Sequence, residues 1–497
     1  MDGEELPPGW ASATLGDIVK PQRAKLTPDL ASDLPFLGLE HIAADGLRPL
    51  GFGRFADMRS AASQFHPGDV LYGRLRPYLN KVWCADRVGA ASAEFIVFPG
   101  HSDVDCHFLA LLLHSGRFVA FARHAVSGDR PRIDVSEMAP FPIAVPPRAE
   151  QTRIATAVNA LFEELDEAEA ALARAREGVE QFRASLLHAA CTGQLTAAWR
   201  RDNPPDETGA DLLRRILAER RTAWESAERA RLEARGTIPR GDAWKARYVE
   251  PVAPDLTDMP DLPEGWVWAS LDMLIDRIEA GKNVSAIARP PEAGETGIVK
   301  VSAVTWGEFN EDASKTLYPG TEFDRAHVIA IGDFLISRAN TLELVGAPVV
   351  VKSCGRRLVL SDKVLRFRFV ADLRHWTEGV LKSSIGRNQI ERYAQGAQLS
   401  MRNISQDNFR RMAIPMPPSP EGKMALELMQ AGLEAMDVPN GDDPKLLRQS
   451  ILHAAFTGRL VAQNPAEEPA VTLLARLGET AFPARRRRGR PVAKVPA

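Results

Sequence analysis

A chain of 497 residues is too long for one ordinary domain and predicts about two to four. With 45% hydrophobic and 26% charged residues it has the composition of a globular protein with ample core, and a net charge of −3 gives no global nucleic-acid signature, so any such evidence must be local. No run reaches the ~18 apolar residues of a membrane span, and Met1–Glu5 is too acidic to open a signal peptide, so a cytoplasmic location is expected.

The first motif is LPPGWASATLGDIV (6–19), in which Trp10 precedes an apolar alternation and is expected to anchor a core. Short β-like runs follow, among them GDVLYGR (68–74). GRLRPYLNKVW (73–83) offers Arg74, Arg76, Asn80 and Lys81 interleaved with Tyr78 and Trp83, and RHAVSGDRPRI (123–133) offers Arg123, Arg130 and Arg132. Such side chains present paired hydrogen bonds to base edges and positive charge to phosphates. The competing reading is solvated strand ends, or arginines paired with Asp69, Asp129 and Asp333.

After PFPIAVPP (140–147) apolar residues recur at Ile154, Val158, Leu161, Leu165, Ala168, Leu172, Ala175, Val179, Phe182 and Leu186. Their steps alternate four and three, the period of a coiled-coil seam. A helix from about Glu150 to Ala190 is roughly 60 Å long, too long to bury its seam on one small domain. It ends in SLLHAACTGQL (185–195), with Gly193 placed as a left-handed C-cap. DNPPD (202–206) is close to the Asn/Asp-Pro-Pro-aromatic loop of amino-methyltransferases, yet Asp206 stands where the aromatic is needed and no glycine-rich cofactor loop accompanies it. A helix-terminating turn is expected there. A charged helix (210–236) and a Pro- and Asp-rich linker within 249–266 follow.

The same order then repeats. LPEGWVWASLDMLI (262–275) answers the opening, GDFLISR (332–338) the strand motif, MAIPMPP (412–418) the proline exit and SILHAAFTGRL (450–460) the helix end. In places that correspond to the basic loops, SRANT (337–341) offers Arg338 and Asn340, and AQLSMRNIS (397–405) offers Gln398, Arg402 and Asn403. Leu426, Met429, Leu433 and Met436 begin a second seam and Leu447, Ile451 and Ala454 resume it; VPNGDDP (438–444) between them predicts an interrupted helix. Glu421-Gly422-Lys423 reads as a charged helix start, because the Pro-Asp of a nuclease site is missing nearby. The end, PARRRRGRPVAKVPA, reads as a disordered basic tail in which Arg488–Pro491 is a weak match to the core of an AT-hook. Cys84, Cys106, Cys191 and Cys354 show no C-x-x-C pairing, so no metal site is expected and they read as buried thiols. No catalytic residue is assigned: the chain has no Gly-x-x-x-x-Gly-Lys-Ser/Thr phosphate loop and no nucleophile elbow.

The duplicated set, covering the chain to about residue 480, closely resembles the specificity subunit of type I restriction–modification systems. The fold expected is α+β: two mixed α/β target-recognition domains in pseudo-two-fold arrangement, separated by long antiparallel coiled-coil helices. The expected segments are 1–147 and 262–418 for recognition, 148–248 and 419–480 for the helical spacers, 249–261 for a linker and 481–497 for the tail. The resemblance implies a non-catalytic subunit whose domains each read half of a bipartite site in double-stranded DNA. It implies two modification (methyltransferase) subunits as partners, docked around the helices near His188 and His453, and restriction/translocase subunits beyond them. S-adenosylmethionine, ATP and Mg would belong to those partners, with no cofactor in this chain. Two unlike domains predict an asymmetric site. The alternatives from the residues alone are a stand-alone DNA methyltransferase or nuclease, and a coiled-coil scaffold without DNA contact.

Overall fold

The computed structural model describes residues 6–21, 24–28, 33–236, 241–396, 401–436 and 444–479. The chain forms two compact units, one of residues 1–173 with 440–497 and one of residues 174–439. Helix and strand mix in both, as the α+β expectation requires.

In the first unit the opening motif becomes the strand Ala11–Thr14, paired antiparallel with the exit strand Pro142–Val145. In the second, Val267–Ser270 pairs in the same way with Ala413–Met416. Leu-Pro-x-Gly-Trp and Pro-Pro are thus the two ends of one ribbon that closes each domain. Trp10 and Trp266 are buried core anchors, and a buried indole N–H needs an acceptor. They donate to the buried carboxylates of Glu150 (3.1 Å) and Glu421 (3.0 Å). Glu421 also accepts from Thr196 Oγ1 at 2.6 Å and Arg200 Nε at 2.9 Å, so this charged residue in the first turn of the helix Ser419–Glu434 is also a buried polar hub.

Inside its ribbon the first unit holds a five-stranded sheet, ordered Lys25–Leu26, Ala62–Phe65, Gly89–Ala91, Pro35–Leu37, Gly53–Arg54, and a three-stranded one, ordered Val82–Cys84, Val70–Gly73, Phe95–Phe98. The second has two four-stranded sheets, Ile275–Ala280, Val364–Phe369, Phe334–Ser337, Pro348–Val350 and Ala286–Ile287, Ser314–Leu317, Gly297–Val299, Leu358–Val359. The Gly-Asp motif is turn chemistry that launches the strands Val70–Gly73 and Phe334–Ser337. Gly68 (φ +89°) and Gly332 (φ +86°) take the left-handed conformation, and the following carboxylates accept the N–H three residues back, from His66 (2.8 Å) and Ala330 (3.0 Å).

Arg148–Cys191 is one continuous helix of 44 residues. In the first unit Ile154, Val158 and Phe162 share a core with Leu452 and Ala455 of the helix Pro444–Phe456. In the second, Leu187 and Ala190 pack with Met429 of the helix Ser419–Glu434. Both pairings run antiparallel: Arg448 meets Asp166 and Glu169 further along the long helix than the Leu452 contacts, and Arg183 donates to the Met436 carbonyl (3.1 Å) while Leu186 faces Gly432.

The buried seam is shorter than the period predicts. Leu161, Leu165, Leu172, Val179, Leu186, Leu426, Leu433, Met436 and Ile451 are half-buried, whereas Phe182 is 59% exposed and Leu447 42%. The cause is the break in the facing helix, which ends at Glu434 and resumes at Pro444. Residues 170–182 are exposed apart from Leu172 and Val179, and Phe162 and Leu187 take over burial at the two ends.

The repeated helix ends close the units crosswise: Ser185–Leu195 belongs to the second unit and Ser450–Leu460 to the first. Gly193 and Gly458 share φ +69°, and a Cβ on either would strike the proline of the opposite copy's Leu-Pro motif, Pro263 at 2.6 Å or Pro7 at 2.4 Å. The chain after each end then returns to that motif, with Gly209 N–H bonding Gly265 O (2.7 Å) and Ala470 N–H bonding Gly9 O (2.9 Å). Each half therefore supplies the helix end that completes the other domain, which is why the chain carries the segment twice.

Candidate nucleic-acid interface

Two basic loops meet in each domain on the same backbone frame. In the first unit Ile133 N–H bonds Arg74 O (3.1 Å), Arg76 N–H bonds Pro131 O (2.8 Å), and Leu75 bridges Arg132. In the second, Ile404 N–H bonds Arg338 O (3.0 Å), while Ala339 and Asn340 pair with Asn403 and Arg402. The frame extends one strand further, because Arg74 N–H bonds Glu94 O (2.8 Å) as Arg338 N–H bonds Lys363 O (3.0 Å). Arg74 and Arg338, Ile133 and Ile404, Glu94 and Lys363 are thereby matched positions.

The side chains on the frames differ. Arg132 grips Glu94 through three contacts of 2.7–3.1 Å, and this hydrogen bonding holds the Glu94 carboxyl below the usual range. Arg74 pairs with Asp134. Arg76, Arg123 and Arg130 are exposed and make no ion pair with a described residue; Arg76 also sits in the left-handed region (φ +52°), a strained setting for a non-glycine residue beside a candidate site. Tyr78 is exposed next to it.

Two members of the predicted set turn inward. Asn80 is 2% exposed and its amide donates to the His114 carbonyl (3.0 Å), so it fixes the loop instead of facing a ligand. Lys81, half-buried, is bonded to the Leu39 carbonyl at 2.7 Å. Trp83 is core, packed edge-on against Phe65.

On the second face Arg338 is half-buried and makes no ion pair with a described residue, Asn340 accepts from Thr341 N–H (2.9 Å), Arg402 bonds the Gly396 carbonyl and Asn403 is exposed. Gln398 and the basic tail lie outside the described residues. Lys363, exposed and without an ion pair among the described residues, is the residue that sequence reasoning missed. It belongs to neither loop, and only its match to Glu94 through the backbone frame reveals it.

His188 and His453 end matching helices but differ in setting. His188 Nδ1 lies 2.9 Å from Ser384 Oγ and lines a groove with Met259 and Arg392. His453 Nε2 lies 3.0 Å from an Arg459 amino group, beside a cavity of about 660 Å³ lined by Pro7, Arg117 and Phe456. DNPPD forms the expected turn: the helix Ala197–Asp202 ends at Asn203. No helix among the described residues is long and apolar enough to cross a membrane.

No family model matches the chain. Among curated proteins it is 24% identical over 453 residues to the type I restriction enzyme EcoEI specificity subunit of Escherichia coli, covering 84% of this chain and 76% of that protein. It is 31% identical over 211 residues to the EcoDI specificity subunit of Escherichia coli, a match that takes in 40% of this chain and 47% of that protein, under half of the relative's length. Among solved structures it superimposes on a chain from a study of complex assembly in a type I R-M system, with a TM-score of 0.58 at 17% identity over 92% of this chain and all of that one. The HsdS subunit from Thermoanaerobacter tengcongensis gives a TM-score of 0.50 at 18% identity, over 92% and 99% of the two chains. These structural likenesses establish a shared fold, and the curated relatives uphold the resemblance carried by the duplicated motifs.

Proposed function

We propose that this chain, a relative of type I restriction specificity subunits along most of its length, is the DNA-specificity subunit of a type I restriction–modification complex. It is a non-catalytic subunit, and the chemistry lies in its partners. Each recognition face reads one half of a bipartite site in double-stranded DNA, and because the faces differ in charge and side chains the halves are unlike. The observation that carries this reading is the pair of loop faces on one shared frame, Arg74–Ile133 and Arg338–Ile404, with divergent residues displayed on it. The helices set the spacing between half-sites, and two modification subunits dock around the helix ends at His188 and His453. Restriction/translocase subunits complete the nuclease. S-adenosylmethionine, ATP and Mg act in those partners, in the cytoplasm.

The test is co-expression with the modification subunit and single-molecule mapping of N6-methyladenine in host DNA, with and without this chain. A two-part motif with unlike halves that depends on the chain is the expected result. A single palindrome would overturn the asymmetric reading, and methyl transfer to DNA by the purified chain alone would make it an enzyme.

A further inference from the structure

We infer that Cys84, Cys106 and His107 form a binding site for one thiophilic divalent cation of the zinc class. Cys84 ends the strand Val82–Cys84, and Cys106 and His107 open the helix Cys106–His114, so folding of the first unit brings together residues that no sequence spacing connects. Their donor atoms, two sulfurs and a ring nitrogen, all lie within 4.8 Å of one another. Zinc in a tetrahedral site, with bonds of about 2.3 Å to sulfur and about 2.0 Å to nitrogen, holds such donors roughly 3.5 Å apart. Small rotamer changes close that gap.

The three donors are available. Both cysteines are free, and the His107 side chain is exposed with no hydrogen bond to a described residue. The neighbouring carboxylates are committed elsewhere. Asp105 caps the helix, accepting from His107 N–H (3.0 Å) and Phe108 N–H (3.1 Å), and Asp69 accepts from His66 and Gly100. Cation binding forms two sulfur–metal bonds and one nitrogen–metal bond, and the protons on the thiols leave to solvent. Two sulfurs and a nitrogen exclude magnesium and calcium, which take oxygen ligands.

The second domain provides an internal control. Cys84 faces Val70 where Val350 faces Phe334, and the helix Arg374–Lys382 begins with Arg374 and His375 in the places of Cys106 and His107. One imidazole without a thiol is no site, so one cation per chain is the stoichiometry expected from the described residues. The cation ties the strand that leaves the 73–83 loop to the helix behind it.

The experiment is titration of the full-length, metal-free, reduced chain with cobalt(II), followed by displacement with zinc. The expected result is a thiolate-to-cobalt charge-transfer band and intense tetrahedral visible bands that saturate at one equivalent. Cys84→Ser and Cys106→Ser each abolish the charge-transfer signature. His107→Ala, at an exposed position where circular dichroism should report an intact fold, weakens binding by about ten-fold or more. Absence of a saturable band overturns the proposal, as does a band that survives Cys84→Ser with Cys106→Ser. So does a Cys84–Cys106 disulfide that accounts for both thiols in the native protein.

Discussion

Val97 and Arg366 occupy one place in the two recognition domains: Val97 pairs with Leu71 and Arg366 with Leu335 on the strand launched by the Gly-Asp turn. Val97 lies in an apolar cluster with Leu71, Trp83 and Phe95. Arg366 is equally buried, yet it is held by Glu279 (Nε to Oε2, 2.6 Å), Asp333 (2.8 Å) and the Val328 carbonyl (2.9 Å). Backbone bonds and turns specify the frame, so the side chains beneath and upon it are free to diverge, even from hydrocarbon to a buried ion network. The same freedom places Glu94 on one face and Lys363 on the other.

Breaking the network is expected to give the largest effect. Arg366→Leu leaves two acidic groups desolvated, and removing one partner of a buried pair costs about 3–5 kcal/mol. Arg368, which also contacts Asp333 (2.9 Å) and Glu279 (3.3 Å), keeps the loss toward the lower end. Urea unfolding followed by a probe in the second unit measures it. A change within error of zero would mean that the network is replaceable by hydrocarbon, as at Val97.

Acid separates the domains next. His114, in the place that Lys382 holds in the second domain, has its pKa lowered to about 4 by burial, from an ordinary value of 6.5. The native imidazole stays neutral while the unfolded chain takes up a proton, so stability is present above pH 6.5 and is lost as pH falls from 6.5 toward 4. The loss is on the order of 3 kcal/mol over that window. His114→Gln should remove this slope from the first unit and leave the second untouched; an unchanged slope in denaturation at pH 7 and pH 4.5 would count against it.

Specificity is the third contrast. Arg338→Ala with Asn403→Ala should relax one half of the methylated motif and Arg76→Ala with Arg130→Ala the other, each base contact being worth about 1–3 kcal/mol. Relaxation of both halves by either pair would mean that the faces do not read independently.

Much of this organisation was legible in the sequence because it rests on local chemistry that recurs. The two Leu-Pro-x-Gly-Trp segments, the Gly-Asp turns and the Gly193 and Gly458 caps demand particular residue types, so duplication displays them. Periodicity located the long helix but overran at Phe182 and Leu447, since a seam is buried only where a partner helix faces it. Asn80 had the chemistry of a base reader and was turned inward by a carbonyl that no local pattern announces. Lys363 and the Cys84–Cys106–His107 cluster were illegible for the same reason: tertiary pairing alone brings them to their neighbours.

The smallest effect sharpens the comparison most directly. On the first face Glu94 occupies Arg132 in an exposed pair, whose own contribution to stability is about 0–1 kcal/mol. Glu94→Gln should therefore leave folding intact while releasing Arg132 toward DNA. Each added phosphate contact steepens the dependence of log affinity on log salt by about one, so the variant should bind more tightly at low salt and lose the gain as salt rises. Lys363→Glu on the second face should do the reverse, weakening binding and flattening the slope. Binding isotherms over a salt series with each variant decide the point: opposite changes in slope mean that both positions lie within reach of the phosphates, whereas two unchanged slopes would place the DNA elsewhere on the domains.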